Sequence, residues 1–210
     1  MGGERWYIFA LGFVAQFFFS ARTIIQWYKS EKSKSVKSPS LYWIFSVIGS
    51  WLFCLYGWLR ADFSIILGQF ISYFIYLWNL NLKGIWKKIP IALRGILAAT
   101  PFVAAAFMLK DASAFVESFF HNEDVPVGLL IFGSAGQVIF TLRFVYQWFI
   151  SYKRKESILP PTFWIISLVG SATIIAYGIF RADPVLILGQ SFGFVAYIRN
   201  LIIGYKESRK

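Results

Sequence analysis

Polar and charged residues are bunched along this chain, and between the bunches run long stretches that carry almost none. A helix needs about 20 mostly apolar residues to cross the roughly 30 Å hydrocarbon layer, so each such run bounded by a polar or basic cluster predicts a transmembrane helix. Seven runs meet this test: Trp6–Tyr28, Ser40–Leu59, Phe63–Leu82, Ile89–Leu109, Val127–Ile150, Leu159–Phe180 and Pro184–Ile203. The first follows Glu4 and Arg5 and shows no small-residue cleavage site, which predicts a retained span in place of a cleaved signal. The predicted fold class is therefore an all-α integral membrane protein with seven transmembrane helices. Composition strengthens that reading: 58% of residues are hydrophobic and only 15% charged, against about 25% charged in soluble domains.

The apolar runs repeat. Residues 16–80 laid on 137–201 at a constant offset of 121 give 26 identities in 65 positions without a gap. "RADFSIILGQ" at 60–69 returns as "RADPVLILGQ" at 181–190. Two three-helix units joined directly would lie in opposite orientations, whereas one intervening helix makes them parallel. The fourth run supplies that inversion helix. The expected organisation is a first repeat in residues 1–83, a linker with the inversion helix and an acidic outer loop in 84–125, and a second repeat with a basic tail in 126–210.

Charge tests the span count independently, because Lys and Arg gather in short cytoplasmic loops. With seven spans one side receives Lys29, Lys32, Lys34, Lys37, Lys83, Lys87, Lys88, Lys153, Arg154, Lys155, Lys206, Arg209 and Lys210, thirteen in all. The other receives Arg5, Arg60, Lys110 and Arg181, four, with Asp111, Glu117, Glu123 and Asp124. The N-terminus is expected outside and the C-terminus inside. The net charge of +11 thus reads as orientation and attraction to anionic lipid, and no nucleic-acid partner is expected.

Within the spans, Arg22 and Arg143 are the strongest chemical signal. Inserting an arginine into a span costs about 2.5–3.5 kcal/mol even on a lenient scale. Snorkelling to the headgroups is one account. The other is an anionic ligand, since no Asp or Glu lies inside any predicted span and a guanidinium fork suits phosphate or carboxylate oxygens. Gln26 and Gln147 follow one turn later, placed to orient the arginines or to bind ligand. Gln69, Tyr76 and Asn79 share one helix face, as do Gln190, Tyr197 and Asn200. Such stripes either bond neighbouring helices or line a central cavity. Gln16 and Gln137, shared by both repeats, complete the candidate substrate-binding set. Arg60, Asp62, Arg181 and Asp183 fall at outer turns, where helix capping or an outer gate explains them.

Cys54 and His121 are each alone, so neither a disulfide framework nor a metal cluster is expected, and no cofactor. No nucleophile–base pair is apparent, which predicts a non-enzyme.

The doubled pattern Q-x5-R-x3-Q-W, P-x3-W, S-x2-G-S, Y-G-x2-R-A-D, G-Q and Y-x2-N-L resembles the lipid-A-biosynthesis N-terminal domain family. The resemblance implies a Gram-negative inner-membrane protein tied to lipid A. That domain is sometimes fused to lipid-A-disaccharide synthase; no glycosyltransferase domain is found in these residues, so that activity is not expected here. Some stand-alone members look like flippases of polyprenyl-phosphate-linked sugars. The layout is also similar to the SWEET and PQ-loop transporters, where an Asn on the third helix of each unit contacts substrate; Asn79 and Asn200 match it. Unlike that wider group, the first and fifth runs contain no Pro. The expected function is translocation of an anionic lipid-linked sugar or lipid A intermediate. The alternatives are a non-catalytic membrane module that recruits or regulates a lipid A enzyme, and a SWEET-like uniporter of neutral sugars. The expected partners are membrane lipids, a phosphate-bearing lipid-linked sugar above all, with a lipid A glycosyltransferase as a further candidate.

Overall fold

Lys34 and Lys155, equivalent in the repeat, both take the left-handed backbone conformation, at φ 54° and 52°. Each stops a long helix. The computed structural model describes residues 6–59, 63–109, 113, 117, 126–180 and 184–207, and every element among them is helical. In chain order these are α1 (Trp6–Ser33), α2 (Ser40–Leu59), α3 (Phe63–Leu82), a 3-10 turn (Trp86–Lys88), α4 (Ile91–Leu109), α5 (Val127–Arg154), α6 (Pro161–Phe180) and α7 (Pro184–Glu207).

The long helices outrun the apolar runs that announce them. α1 continues past Tyr28 to Ser33, α5 past Ile150 to Arg154 and α7 past Ile203 to Glu207, because Lys, Arg and Glu are good helix formers once the chain leaves hydrocarbon. α6 begins at Pro161 and not at Leu159. A residue that precedes proline is pushed out of the helical region, whereas proline itself suits the first helical position. The start is marked in both repeats by Tyr42 N–H donating to Pro39 O and Phe163 N–H to Pro160 O, each at 3.0 Å. α3 ends at Leu82 and is closed off by Gly84, whose φ of 71° lets Ile85 N–H reach Leu80 O at 3.0 Å.

Among the described residues, four helices are long and apolar enough to cross a membrane by length and composition: Trp6–Ser33, Val127–Arg154, Pro161–Phe180 and Ile187–Glu207. Ser40–Tyr56 and Ile91–Val103 are shorter apolar helices. Large apolar side chains such as Phe13, Phe17, Ile131 and Val138 face outward, as a lipid-facing surface requires. The molecule is a membrane protein.

Packing follows chain order: α1 lies on α2 and α2 on α3, while α5 lies on α6 and α6 on α7. α3 also abuts α5, and α7 abuts α1. These six helices therefore close a ring. α4 stays outside it, against α2 and α3, with Trp51 Nε1 donating to Thr100 Oγ1 at 3.3 Å. The core is aromatic and matched across the ring. Trp43 lies 6.1 Å from Tyr76 and Trp164 5.9 Å from Tyr197, centroid to centroid. Tyr42 meets Trp43 edge-on at 4.9 Å, as Phe163 meets Trp164 at 4.8 Å.

Candidate functional site

Inside the ring is a cavity of about 140 Å³. Arg22 projects into its wall from α1 and Arg143 from α5, and they are only 6% and 2% exposed. Arg22 Nη1 donates to Ser46 Oγ at 2.8 Å, and Arg143 Nη1 to Tyr197 Oη at 3.1 Å. Aromatic faces supply much of the remaining shell. Arg143 Cζ lies 3.3 Å from the Phe140 ring centroid, and Arg22 Cζ lies 4.5 Å from that of Phe19. Phe144 serves both, at 5.4 Å from Arg22 and 4.6 Å from Arg143. A cation over a ring face gains about 0.5–2 kcal/mol, which offsets part of the desolvation of a guanidinium but satisfies no N–H. Each arginine keeps a buried Nε–H with no acceptor among the described residues. The ion pairs among those residues are Glu31 with Lys34 and Glu31 with Arg199, so neither cavity arginine has a carboxylate partner there.

The rest of the lining mixes aromatic and polar side chains, and three of its polar pairs are equivalent in the repeat. Gln16 and Gln137 line the cavity, as do Gln69 and Gln190, then Tyr76 and Tyr197. Gln69 keeps its amide oxygen buried without a donor among the described residues. Two glycines lie against these side chains. A Cβ on Gly68 would lie 3.3 Å from Gln137 Nε2, and one on Gly189 would lie 3.6 Å from Gln16 Oε1.

The other four predicted residues sit elsewhere. Gln26 Nε2 donates to Asn200 Oδ1 at 2.8 Å while Asn200 Nδ2 donates to Gln26 Oε1 at 2.9 Å. Gln147 and Asn79 make the same exchange at 3.0 and 3.1 Å. All four are 0% exposed and none lines the cavity. Four residues beyond the arginine is about 6 Å along a helix, so the two amide pairs form a floor toward the basic ends of α1 and α5. They tie α1 to α7 and α5 to α3. Each glutamine also holds the following loop: Gln26 Nε2 donates to Lys37 O at 3.2 Å, and Gln147 Nε2 to Ile158 O at 2.9 Å. Arg60, Asp62, Arg181 and Asp183 lie outside the described residues.

Several residues at this site escape a sequence reading. Ser30 and Ser151, identical in the repeat, accept from Lys37 N–H and Ile158 N–H at 2.9 and 3.1 Å; their identity was the available signal. Ser38 and Ser157 meet hydroxyl to hydroxyl at 3.0 Å, although neither is repeated. Arg199 grips Glu31 with Nε and Nη2 at 2.8 and 2.7 Å. The equivalent place in the other half holds Trp78 and Tyr152, ring centroids 6.4 Å apart. One junction is ionic and its counterpart aromatic, so no pattern comparison connects them.

Fold and site define a helical membrane domain with a doubly cationic cavity lined by six helices. The profile of the Lipid A Biosynthesis N-terminal domain matches the chain twice, over residues 11–81 and 132–202, and the chain belongs to that family. Both matches are 71 residues long and their starts differ by 132 − 11 = 121. Similar proteins named lipid-A-disaccharide synthase occur in Chlamydia pneumoniae, 33% identical over 99% of this chain and 35% of the relative. Those of Chlamydia abortus and Chlamydia caviae are 32% and 30% identical over 96% of this chain and 34% of each relative. The chain thus spans about a third of the length of the relatives it matches. No solved structure is a significant match.

These relatives correct the non-enzyme expectation. Almost the whole chain aligns with proteins named as a synthase, an enzyme. The expectation rested on the lack of a nucleophile–base pair and of a glycosyltransferase domain. Catalytic groups missing from a segment equivalent to a third of an enzyme say nothing against its being part of one.

Proposed function

We propose that this chain is the membrane domain of a lipid A glycosyltransferase system, holding an anionic lipid headgroup between Arg22 and Arg143 and presenting it to the enzyme. The observation that carries this is the pair of buried guanidiniums in one cavity, each with an unsatisfied N–H and without a carboxylate partner among the described residues. An isolated buried charge is costly unless something pairs with it, and a lipid headgroup brings the opposite charge from the membrane itself. The name borne by the relatives supports the link to an enzyme. The domain sits in the Gram-negative inner membrane as seven spans in two parallel repeats, N-terminus outside and basic loops inside, which the thirteen-to-four distribution of Lys and Arg supports. Gln16, Gln137, Gln69, Gln190, Tyr76 and Tyr197 line the headgroup site beside the arginines. Gln26, Gln147, Asn79 and Asn200 hold its floor.

A second reading, translocation of the same lipid, is favoured by one feature: the cavity is bounded on one side by amide pairs that join opposite halves of the ring. A carrier needs such a barrier on one side of its site at a time. A neutral-sugar carrier working through Asn79 and Asn200 is not favoured, because both amides are engaged with glutamines.

The test is lipid binding by variants shown to be folded and inserted. Losing charge-assisted bonds of about 1.5–3 kcal/mol in Arg22→Gln or Arg143→Gln weakens retention of the co-purified anionic lipid roughly ten- to a hundred-fold. Lys restores it only in part, since it lacks the planar fork. Co-purification with the glycosyltransferase should persist in the double Gln variant even as lipid is lost. An unchanged bound-lipid mass spectrum in that variant removes the headgroup reading.

A further inference from the structure

We infer that the cavity selects a phosphate group carrying two negative charges, a phosphomonoester, over the singly charged phosphodiester found in most membrane lipids. The inference rests on the headgroup reading above and narrows it.

Charge balance is the starting point. Two guanidiniums share one small cavity and one ring, Phe144, while the described acidic side chain that bonds to an arginine, Glu31, is committed to Arg199 on another junction. Arginine keeps its proton in proteins, so the site cannot relieve its charge by deprotonation. A phosphodiester leaves one positive charge buried and unpaired. A phosphomonoester above its second pKa of about 6 cancels both.

Donor geometry points the same way. Each guanidinium has five N–H groups, and the neighbours that accept from them, Ser46 Oγ and Tyr197 Oη, are neutral hydroxyls. Three terminal oxygens on a monoester accept from two forks at once; a diester offers two. Size sets the limit on what else enters. The cavity measures about 140 Å³, and one of about 150 Å³ in another protein takes a single benzene. The phosphate enters and the body of its carrier stays outside. Because a soluble monoester and a lipid share this chemistry, the experiment separates them.

The probes are octadecyl phosphate and its methyl ester, which differ by one methyl and one charge, with inorganic phosphate as a third ligand. Binding to the full chain in neutral-lipid nanodiscs is measured at pH 8. The monoester should bind at least ten-fold tighter than its methyl ester. Lowering the pH to 5, below the second phosphate pKa, should bring the monoester down to the level of the ester, whose own binding stays flat. Arg22→Gln and Arg143→Gln should each abolish the preference. The pH series on the unmodified protein keeps the test decisive if a Gln variant fails to fold. Inorganic phosphate that displaces octadecyl phosphate at equal affinity keeps the dianion selectivity and assigns it to a soluble ligand; displacement only at far higher concentration assigns it to a lipid. Equal binding of the two octadecyl compounds overturns the inference while leaving the headgroup reading intact. Binding of neither overturns both.

Discussion

Asn79 and Gln147 show how a polar residue in an apolar helix is made tolerable. Each amide offers donors and an acceptor, and the reciprocal exchange between them pairs both inside the protein. Ser157 Oγ adds a third bond to Asn79 Oδ1 at 2.7 Å. An average interhelical hydrogen bond in a membrane protein contributes about 0.6 kcal/mol. A fully buried amide that loses its partner costs more, about 1–3 kcal/mol. Gln147→Leu should therefore destabilise the protein by about 1–3 kcal/mol, and the double Gln147→Leu/Asn79→Leu variant should lose less than the sum of the singles. A double-mutant cycle on unfolding in detergent measures this; additive losses would mean that the amides act independently. The arginines follow a different rule, because aromatic rings stabilise their charge without satisfying their donors.

At the scale of elements, glycine decides how closely helices approach. A Cβ on Gly170 of α6 would stand 2.9 Å from the Cα, Cβ and backbone N of Phe140 on α5. Backbone atoms cannot swing aside, so Gly170→Ala has to move a helix. The expected loss is about 1–3 kcal/mol, as for other overpacked contacts. Gly95 in α4 has no atom within 4 Å of an added Cβ. Gly95→Ala should leave stability unchanged or raise it by up to about 1 kcal/mol, the difference in helix propensity. Thermal unfolding of the two variants side by side tests whether the ring interface, and not helix propensity, governs these positions; equal midpoints would refute it. The contrast also reflects the place of α4 outside the ring.

At the scale of the whole molecule, the topology is open to direct measurement. In a Cys54→Ser background, single cysteines placed between residues 111 and 124 should react with an impermeant thiol reagent applied from outside the cell. Those placed between residues 31 and 38 should react only after permeabilisation. Labelling of both segments from one side would remove α4 as a span and make the two halves antiparallel. The ring itself adds a constraint, since α1 must reach α7 and α3 must reach α5. The side-chain hydrogen bonds that join α1 to α7 and α3 to α5 lie toward the basic ends of the helices.

The sequence by itself determined the helical class, the membrane character and the helix order, because length and hydropathy are local properties that a bilayer turns directly into spans. It also singled out Arg22 and Arg143 and six of the polar residues that line the cavity beside them, since an isolated polar group in an apolar run is visible without knowing its neighbours; Ser20, Thr23, Ser72 and Thr141, which line it too, did not stand out. Helix ends shifted by about a turn, because apolarity reports the extent of hydrocarbon and not that of the helix. Which neighbours the polar residues meet was decided only in three dimensions. Gln26 and Gln16 are indistinguishable as glutamines on α1, yet one is closed against Asn200 and the other faces the cavity. The same holds for Asn79 and Gln69 on α3. A stripe fixes the face a residue occupies, whereas its partner belongs to a helix up to 174 positions away. Glu31 and Arg199 were paired by tertiary structure alone, because their repeat counterparts are rings and the chain carries no local trace of that junction.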